Sequence, residues 1–202
     1  MKKKVYIIYT GGTIGMKATE DGYAPTKGFL REQMAAMPEL KHDDMPEYFI
    51  HEYDPLLDSA NMTPDNWTDI AMDIYNNYHE YDGFVVLHGT DTMAYTSAAL
   101  SYLIQNSSKP MVITGSQKPI DVQITDAKKN LLDSFRFASE DDVRGTYIVF
   151  DGKAIIGTRA RKIKSKSYGA FESINFPVAA IIDDRRITRY IRYNNFGKEV
   201  KF

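Results

Sequence analysis

Short apolar runs that end in a glycine-bearing polar tip recur along this 202-residue chain and limit what it can fold into. Val5 to Tyr9 runs into Thr10-Gly11-Gly12-Thr13. Phe84 to Leu87 runs into His88-Gly89-Thr90-Asp91-Thr92, and Met111 to Thr114 into Gly115-Ser116-Gln117. Apolar side chains on consecutive positions need burial on both faces of a strand, as in a parallel sheet covered by helices. Helical patterns separate the runs: Phe29 to Met37, a helix from Pro64 to about Tyr78, Met93 to Gln105, and Ala127 to Ala138 behind Thr125-Asp126. Thr63-Pro64-Asp65 is a strong start, with Thr as N-cap, Pro at the first helical position and Asp in the first turn. Further strands are expected over Pro46 to Tyr53, Gly145 to Phe150, Ala154 to Thr158, Val178 to Ile182 and Ile187 to Tyr193. Asp151-Gly152-Lys153 reads as a tight hairpin turn and Asp183-Asp184 as another. Residues 16–27 read as a mobile loop or small hairpin turning at Asp21-Gly22, and 54–62 as a loop. The alternation predicts an α/β fold: a doubly wound, mostly parallel sheet flanked by helices, with an antiparallel hairpin near the C-terminal edge.

Composition narrows the function classes. At 43% hydrophobic the chain can bury one core, and a formal charge of −2 with a pI near 6.1 argues against nucleic acid or an anionic membrane as partner. There are no cysteines, which excludes disulfides and thiolate metal sites and fits a reducing compartment. The four histidines are too scattered to suggest a metal site. Lys2, Lys3 and Lys4 precede only about five apolar residues, so they read as the lead-in to a first strand rather than a signal peptide. No stretch approaches the ~20 apolar residues of a membrane span.

The polar tips collect at the carboxyl ends of the strands, where open α/β sheets bind ligands. Thr90-Asp91 sets a hydroxyl beside a carboxylate, and Thr13 supplies a second hydroxyl. An aliphatic hydroxyl is a poor nucleophile until a base takes its proton. The candidate bases are Asp91, Lys162, Tyr23 and His88. Backbone amides beside Gly12 and Gly89 can stabilise an oxyanion. That ensemble suits acyl transfer or hydrolysis with a threonine nucleophile. Gly-Thr at a strand end reads equally well as a turn with a capping hydroxyl, His88 more readily as a packed turn residue than as a catalyst, and Arg159 to Lys166 as a solvated face from which one lysine can turn inward. The absence of G-x-x-x-x-G-K-[ST] and G-x-G-x-x-G disfavours a nucleotide site.

Two stretches go beyond the pattern. Tyr9-Thr10-Gly11-Gly12-Thr13-Ile14-Gly15-Met16 resembles the first signature of bacterial-type L-asparaginases, and Val86-Leu87-His88-Gly89-Thr90-Asp91-Thr92-Met93 resembles their second. Asp21-Gly22-Tyr23, the loop Asp58 to Thr63, Ile113 to Gln117, Arg159 to Lys162 and Ala170 to Ser173 look like the cytoplasmic type I branch. The resemblance covers about residues 4–195. It implies a flavodoxin-like N-terminal domain over 1–182, with 183–202 the start of a linker toward a C-terminal domain that would begin about where the chain ends. It implies a cytoplasmic enzyme that hydrolyses L-asparagine to L-aspartate and ammonia, with no cofactor and no metal, working as a homodimer or dimer of dimers. Thr13 then matches the nucleophile on a flexible lid and Tyr23 the lid tyrosine that helps activate it. Thr90, Asp91 and Lys162 match a second triad in which Lys162 assists proton transfer and Asp91 binds the substrate's α-amino group. Ser59 matches the residue that holds the α-carboxylate. Gly12 and Gly89 match close backbone approaches to the ligand, and Ser116 and Gln117 line the pocket. Asp58 and Ala60 flank Ser59 in the binding loop. Ala60 stands where many relatives outside this branch carry an amide, which shifts recognition toward backbone groups and Asn61. The missing C-terminal domain would supply acidic and polar residues to a neighbouring subunit's site, so the activity of this chain is expected to depend on it. Two other classes stay open: a non-catalytic amino-acid-binding or assembly domain, and a glutaminase subunit of a tRNA-dependent amidotransferase.

Overall fold

The computed structural model describes residues 2–20, 22–191 and 199–202. In chain order the strands are β1 (Lys4–Tyr9), β2 (Met16–Thr19), β3 (Gly22–Pro25), β4 (Glu47–Glu52), β5 (Gly83–Leu87), β6 (Pro110–Thr114), β7 (Gly145–Phe150), β8 (Lys153–Ile156), β9 (Ala160–Lys162), β10 (Phe171–Ser173), β11 (Ala180–Asp183) and β12 (Arg186–Arg189). The helices are α1 (Phe29–Ala36), α2 (Pro64–Asn77), α3 (Met93–Leu103) and α4 (Ala127–Ala138). Among the described residues eight strands form one sheet in the order β12-β11-β8-β7-β6-β5-β1-β4. The pairs from β4 to β7 are parallel, and those from β7 to β12 antiparallel.

The apolar runs explain the centre of the sheet. Val5, Ile7 and Tyr9 of β1 pack on one face with Leu30 of α1 and Leu131 and Phe135 of α4. Tyr6 and Ile8 pack on the other with Ile70 and Ile74 of α2 and Leu100 of α3. β5 is buried at every position. Each fully buried Val, Leu or Phe there contributes about 1.5–3 kcal/mol.

The helix positions set the topology. Numbered by chain order, the five parallel strands stand 2-1-3-4-5 across the sheet. The chain steps one way from β1 through α1 to β4, and the opposite way thereafter. α2 and α3 lie on the face opposite α1, which gives these three crossovers one hand. α4 lies on the α1 face while its strands still step the second way, so the β6–α4–β7 crossover has the other hand. Crossovers are right-handed in about 98% of cases, so one connection of opposite hand within a sheet is unusual.

Several boundaries differ from the sequence expectation. α3 stops at Leu103, before Gln105, because Gln105 exchanges backbone hydrogen bonds with Lys201 at 2.8 and 2.9 Å. β8 ends at Ile156 because Gly157 turns against α3, where Ser97 Oγ donates to its carbonyl at 3.0 Å. Lys153 belongs to β8, and the turn residues Asp151 and Gly152 both take positive φ. The last hairpin turns at Asp184 and Arg185, one residue later than expected. The stretch read as a solvated basic face contains β9, paired antiparallel with β10. Residues 16–27 do form the small hairpin β2–β3; the expected turn residue Asp21 lies outside the described residues, as do residues 192 and 193 of the expected last strand.

Asn130 of α4 clamps the third tip to the β7–β8 turn. Its Nδ2 donates to the Gly115 carbonyl at 2.9 Å, and its Oδ1 accepts from the Asp151 N–H at 2.9 Å. Truncation strands the buried Gly115 carbonyl, at about 1–3 kcal/mol, and frees the part-buried Asp151 N–H. Asn130→Ala is therefore expected to lower the urea midpoint by the equivalent of about 2–4 kcal/mol at unchanged slope, as read by circular dichroism.

Candidate active site

In a 2-1-3-4-5 parallel sheet the crevice opens between the first and third strands, where the chain leaves toward opposite faces. Here these are β1 and β5, the strands that carry the two Gly-Thr tips. The tips meet backbone to backbone. Gly12 has φ +95°, and a Cβ on it would stand 2.5 Å from the Gly89 nitrogen. A Cβ on Gly89 would stand 2.3 Å from Ser59 Oγ. No side chain fits at either position, so the tips and the Ser59 turn are in direct contact. Thr10 N–H donates to the Leu87 carbonyl at 3.0 Å, and Leu57 N–H to the Thr10 carbonyl at 2.6 Å, which ties the 54–62 loop to the same edge.

Thr90, Asp91 and Lys162 come together. Lys162 Nζ donates to Thr90 Oγ1 at 2.8 Å and pairs with Asp91 Oδ1 at 2.7 Å. Lys162 arrives on β9, whose pairing with β10 fixes its register opposite Phe171. The lysine side chain is mostly buried while Asp91 stays 64% exposed, so Asp91 faces both the amine and solvent. Thr90 in turn donates to Gln117 Oε1 at 3.3 Å. With one lone pair on the amine and its proton on the amide, the Thr90 hydroxyl is oriented.

The other expected residues divide. Thr13 opens a 3₁₀ turn, is half-buried, and its hydroxyl has no hydrogen-bond partner among the described residues. Tyr23 stands on the β2–β3 hairpin, 53% exposed, with no hydrogen bond to Thr13. Ser59 is buried against Gly89, and Thr92 Oγ1 donates to the Ser59 carbonyl at 2.7 Å. Asp58 caps its own turn by accepting from the Ala60 N–H at 3.0 Å, and Ala60 is exposed. Ser116 is buried and bonds the Lys118 carbonyl, so at the third tip Gln117 rather than Ser116 reaches the constellation. A groove of about 780 Å³ borders it on the α3 side, lined by Asp91, Tyr95, Arg159, Arg161 and Lys162 among others. Among the described residues no group of three or more His, Asp or Glu is placed to hold a metal ion, and no helix is long and apolar enough to cross a membrane.

One supporting residue escaped the sequence reading, and another takes the packed role that the sequence favoured over catalysis. Asp126 precedes α4 but does not cap it; its carboxylate accepts from the N–H groups of Gln117 and Lys118 at 2.8 and 3.1 Å. Burial pushes its pKa up despite those bonds. A carboxylate nine residues downstream of a strand tip carries no signal separating it from a helix cap. His88 is the second. It is wholly buried, which pulls its pKa down to about 4, and it cannot act as an exposed base. Trp67 Nε1 donates to Thr96 Oγ1 at 3.0 Å, Thr96 Oγ1 lies 2.9 Å from His88 Nε2, and His88 Nδ1 lies 2.6 Å from the Gly89 carbonyl. The neutral Nδ1–H tautomer satisfies all three contacts, so the ring braces the Gly89 peptide.

Comparison with known proteins finds relatives over most of the chain. A family model described as Asparaginase, N-terminal matches residues 4–194. L-asparaginase 1 of Escherichia coli (strain K12) is 46% identical over 176 residues, covering 87% of this chain and 52% of that protein. The crystal structure of L-asparaginase I from Vibrio cholerae superposes with a TM-score of 0.88 at 41% identity, covering 100% of this chain and 61% of that one. The structure described as "Probable Cytoplasmic L-asparaginase" from Campylobacter jejuni gives 0.81 at 26% identity, covering 99% and 60%. The chain thus spans between half and two thirds of the length of these three relatives.

The depressed His88 pKa makes stability depend on pH. The unfolded chain takes up the proton near pH 6.5, before the folded one does, so this contribution is present above pH 6.5 and is lost as pH falls toward about 4. The loss is on the order of 3 kcal/mol. Denaturation midpoints between pH 7 and 4 should fall more steeply in the wild type than in His88→Gln, where this titration is absent.

Proposed function

The chain belongs to the asparaginase family, and from that membership we propose that it hydrolyses the side-chain amide of L-asparagine to L-aspartate and ammonia, with Thr13 as nucleophile and no cofactor. The observation that carries the reading is Lys162, which hydrogen-bonds both Thr90 and Asp91 from positions 72 and 71 residues away. That convergence stands beside the Gly12–Gly89 contact, which sets the Thr13 turn against the Thr90 tip.

In this reading Thr13 Oγ1 attacks the amide carbon. Its proton is relayed through the hydroxyl of Tyr23, which moves over it with the β2–β3 hairpin, toward the leaving nitrogen. The oxyanion of the tetrahedral intermediate is held by backbone N–H groups of the tips. The carbon–nitrogen bond breaks as the nitrogen takes a proton and leaves as ammonia. Water then adds to the acyl carbon, assisted by Thr90 and Lys162, and the ester bond to Thr13 breaks with return of the hydroxyl proton. Asp91 keeps one carboxylate oxygen on Lys162 and turns the other to the substrate ammonium, while Ser59 takes the α-carboxylate. Asp58, Ala60 and Ser116 shape the loops around them.

Longer relatives support a wider reading. Residues 1–182 form the N-terminal domain, and 183–202 lead toward a second domain that completes the site between subunits of a homodimer or dimer of dimers. A cytoplasmic setting follows the description of the Campylobacter jejuni relative.

Ammonia release from L-asparagine is expected for the wild-type chain. Thr13→Ala, Thr90→Ala and Lys162→Met are each expected to lower it by at least about 100-fold, with unchanged far-UV circular dichroism. Binding of asparagine without release of ammonia, by this chain and by a version extended with a C-terminal domain, would overturn the reading.

A further inference from the structure

The hairpin that carries Tyr23 is rooted at both ends on one pair of side chains. At its start, Gly15 closes the 3₁₀ turn opened by Thr13, and its α-carbon rests on the Tyr9 phenol: a Cβ there would stand 2.1 Å from Tyr9 Oη. At its end, the Gly28 N–H donates to Glu52 Oε2 at 2.8 Å, immediately before α1. Lys27 pairs with Asp54 beside it, and Arg31 of α1 donates to the Ile50 carbonyl at 3.0 Å. Glu52 is the last residue of β4, so its carboxylate projects at the same sheet edge as the candidate site.

Tyr9 and Glu52 are neighbours underneath. Tyr9 is fully buried, and burial together with the Glu52 charge pushes its phenol pKa up. Tyr9 Oη and Glu52 Oε1 are both buried without a hydrogen-bond partner among the described residues. A half-buried carboxylate with one oxygen committed to a single backbone N–H is poorly compensated, and such a group is costly unless the placement serves something. What it touches is the root of the hairpin that begins three residues after Thr13.

We propose that Glu52 is a positioning residue: with Tyr9 it forms the seat on which both roots of the β2–β3 hairpin rest, and thereby sets where Thr13 and Tyr23 stand relative to the Thr90 tip. Glu52 also leads directly into the 54–62 loop that carries Ser59. The lid root and the loop assigned to the substrate carboxylate are therefore adjacent along one segment. The catalytic part of this proposal rests on the assignment of Thr13 as nucleophile; the structural part does not.

The test separates charge from reach. Glu52→Gln keeps an acceptor oxygen at the same distance from the Gly28 N–H, whereas Glu52→Asp keeps the charge and withdraws it by one methylene. Amide hydrogen exchange on the full chain should show residues 13–19 and 22–28 exchanging at least about fivefold faster in Glu52→Asp and near the wild-type rate in Glu52→Gln, with β5 and β6 unchanged in both. In ammonia release, Glu52→Asp should lose about tenfold in kcat with KM nearly constant, and Glu52→Gln should retain most activity. Hairpin exchange in Glu52→Asp equal to wild type, or loosening shared equally with β5, overturns the proposal. If the wild type releases no ammonia, the assigned reaction fails, and the exchange comparison still decides the role of Glu52.

Discussion

Two glycine backbones in contact hold this site together. Because Gly12 and Gly89 carry no Cβ, the ends of β1 and β5 close to backbone contact. Several other contacts attach to that approach. Ser59 fills the far side of Gly89, Thr92 holds the Ser59 carbonyl, and His88 braces the Gly89 peptide from within the core. A methyl group at either glycine would separate the tips and move Thr13 away from Thr90 at once.

Burial then divides labour among residues that look alike in sequence. His88 and Asp91 are three positions apart and both ionisable. The histidine is sealed beneath the sheet edge and kept neutral, so it serves as a strut. Asp91 is largely exposed with a lysine at 2.7 Å, so one side of its carboxylate faces the amine and the rest faces solvent. Three of the hydroxyls at the edge differ in the same way. Thr90 is oriented by two partners, Ser116 is spent on a backbone carbonyl, and Thr13 is free among the described residues.

The central sheet and its helices were legible because continuous apolar runs and capped amphipathic stretches are local signals. α4 was placed to the residue, and β1, β5 and β6 within one. What stayed hidden depends on distant partners. The end of α3 is set by Lys201, and the end of β8 by contact with α3. The β9–β10 strand pair is short and rich in charge, so neither periodicity nor hydrophobicity marks it. In the candidate site the resemblance supplied Thr90, Asp91 and Lys162, which converge. It could not reveal that Gln117 reaches Thr90, that Asp126 serves the third tip rather than its own helix, or that Tyr23 stands away from Thr13.

The one crossover of opposite hand bears on the space around Thr90. The chain leaves β5 toward α3, but it leaves the neighbouring β6 toward α4 on the other face. Adjacent exits diverge there just as they do between β1 and β5. The β5 tip therefore has a diverging chain exit on each side rather than on one. Gly12 and Ser59 pack against it from the first side, and Gln117 accepts from Thr90 on the second. The reversed connection thus leaves the largely buried Thr90 tip with neighbours from both adjoining strand ends, the Gly12 turn on one side and Gln117 on the other.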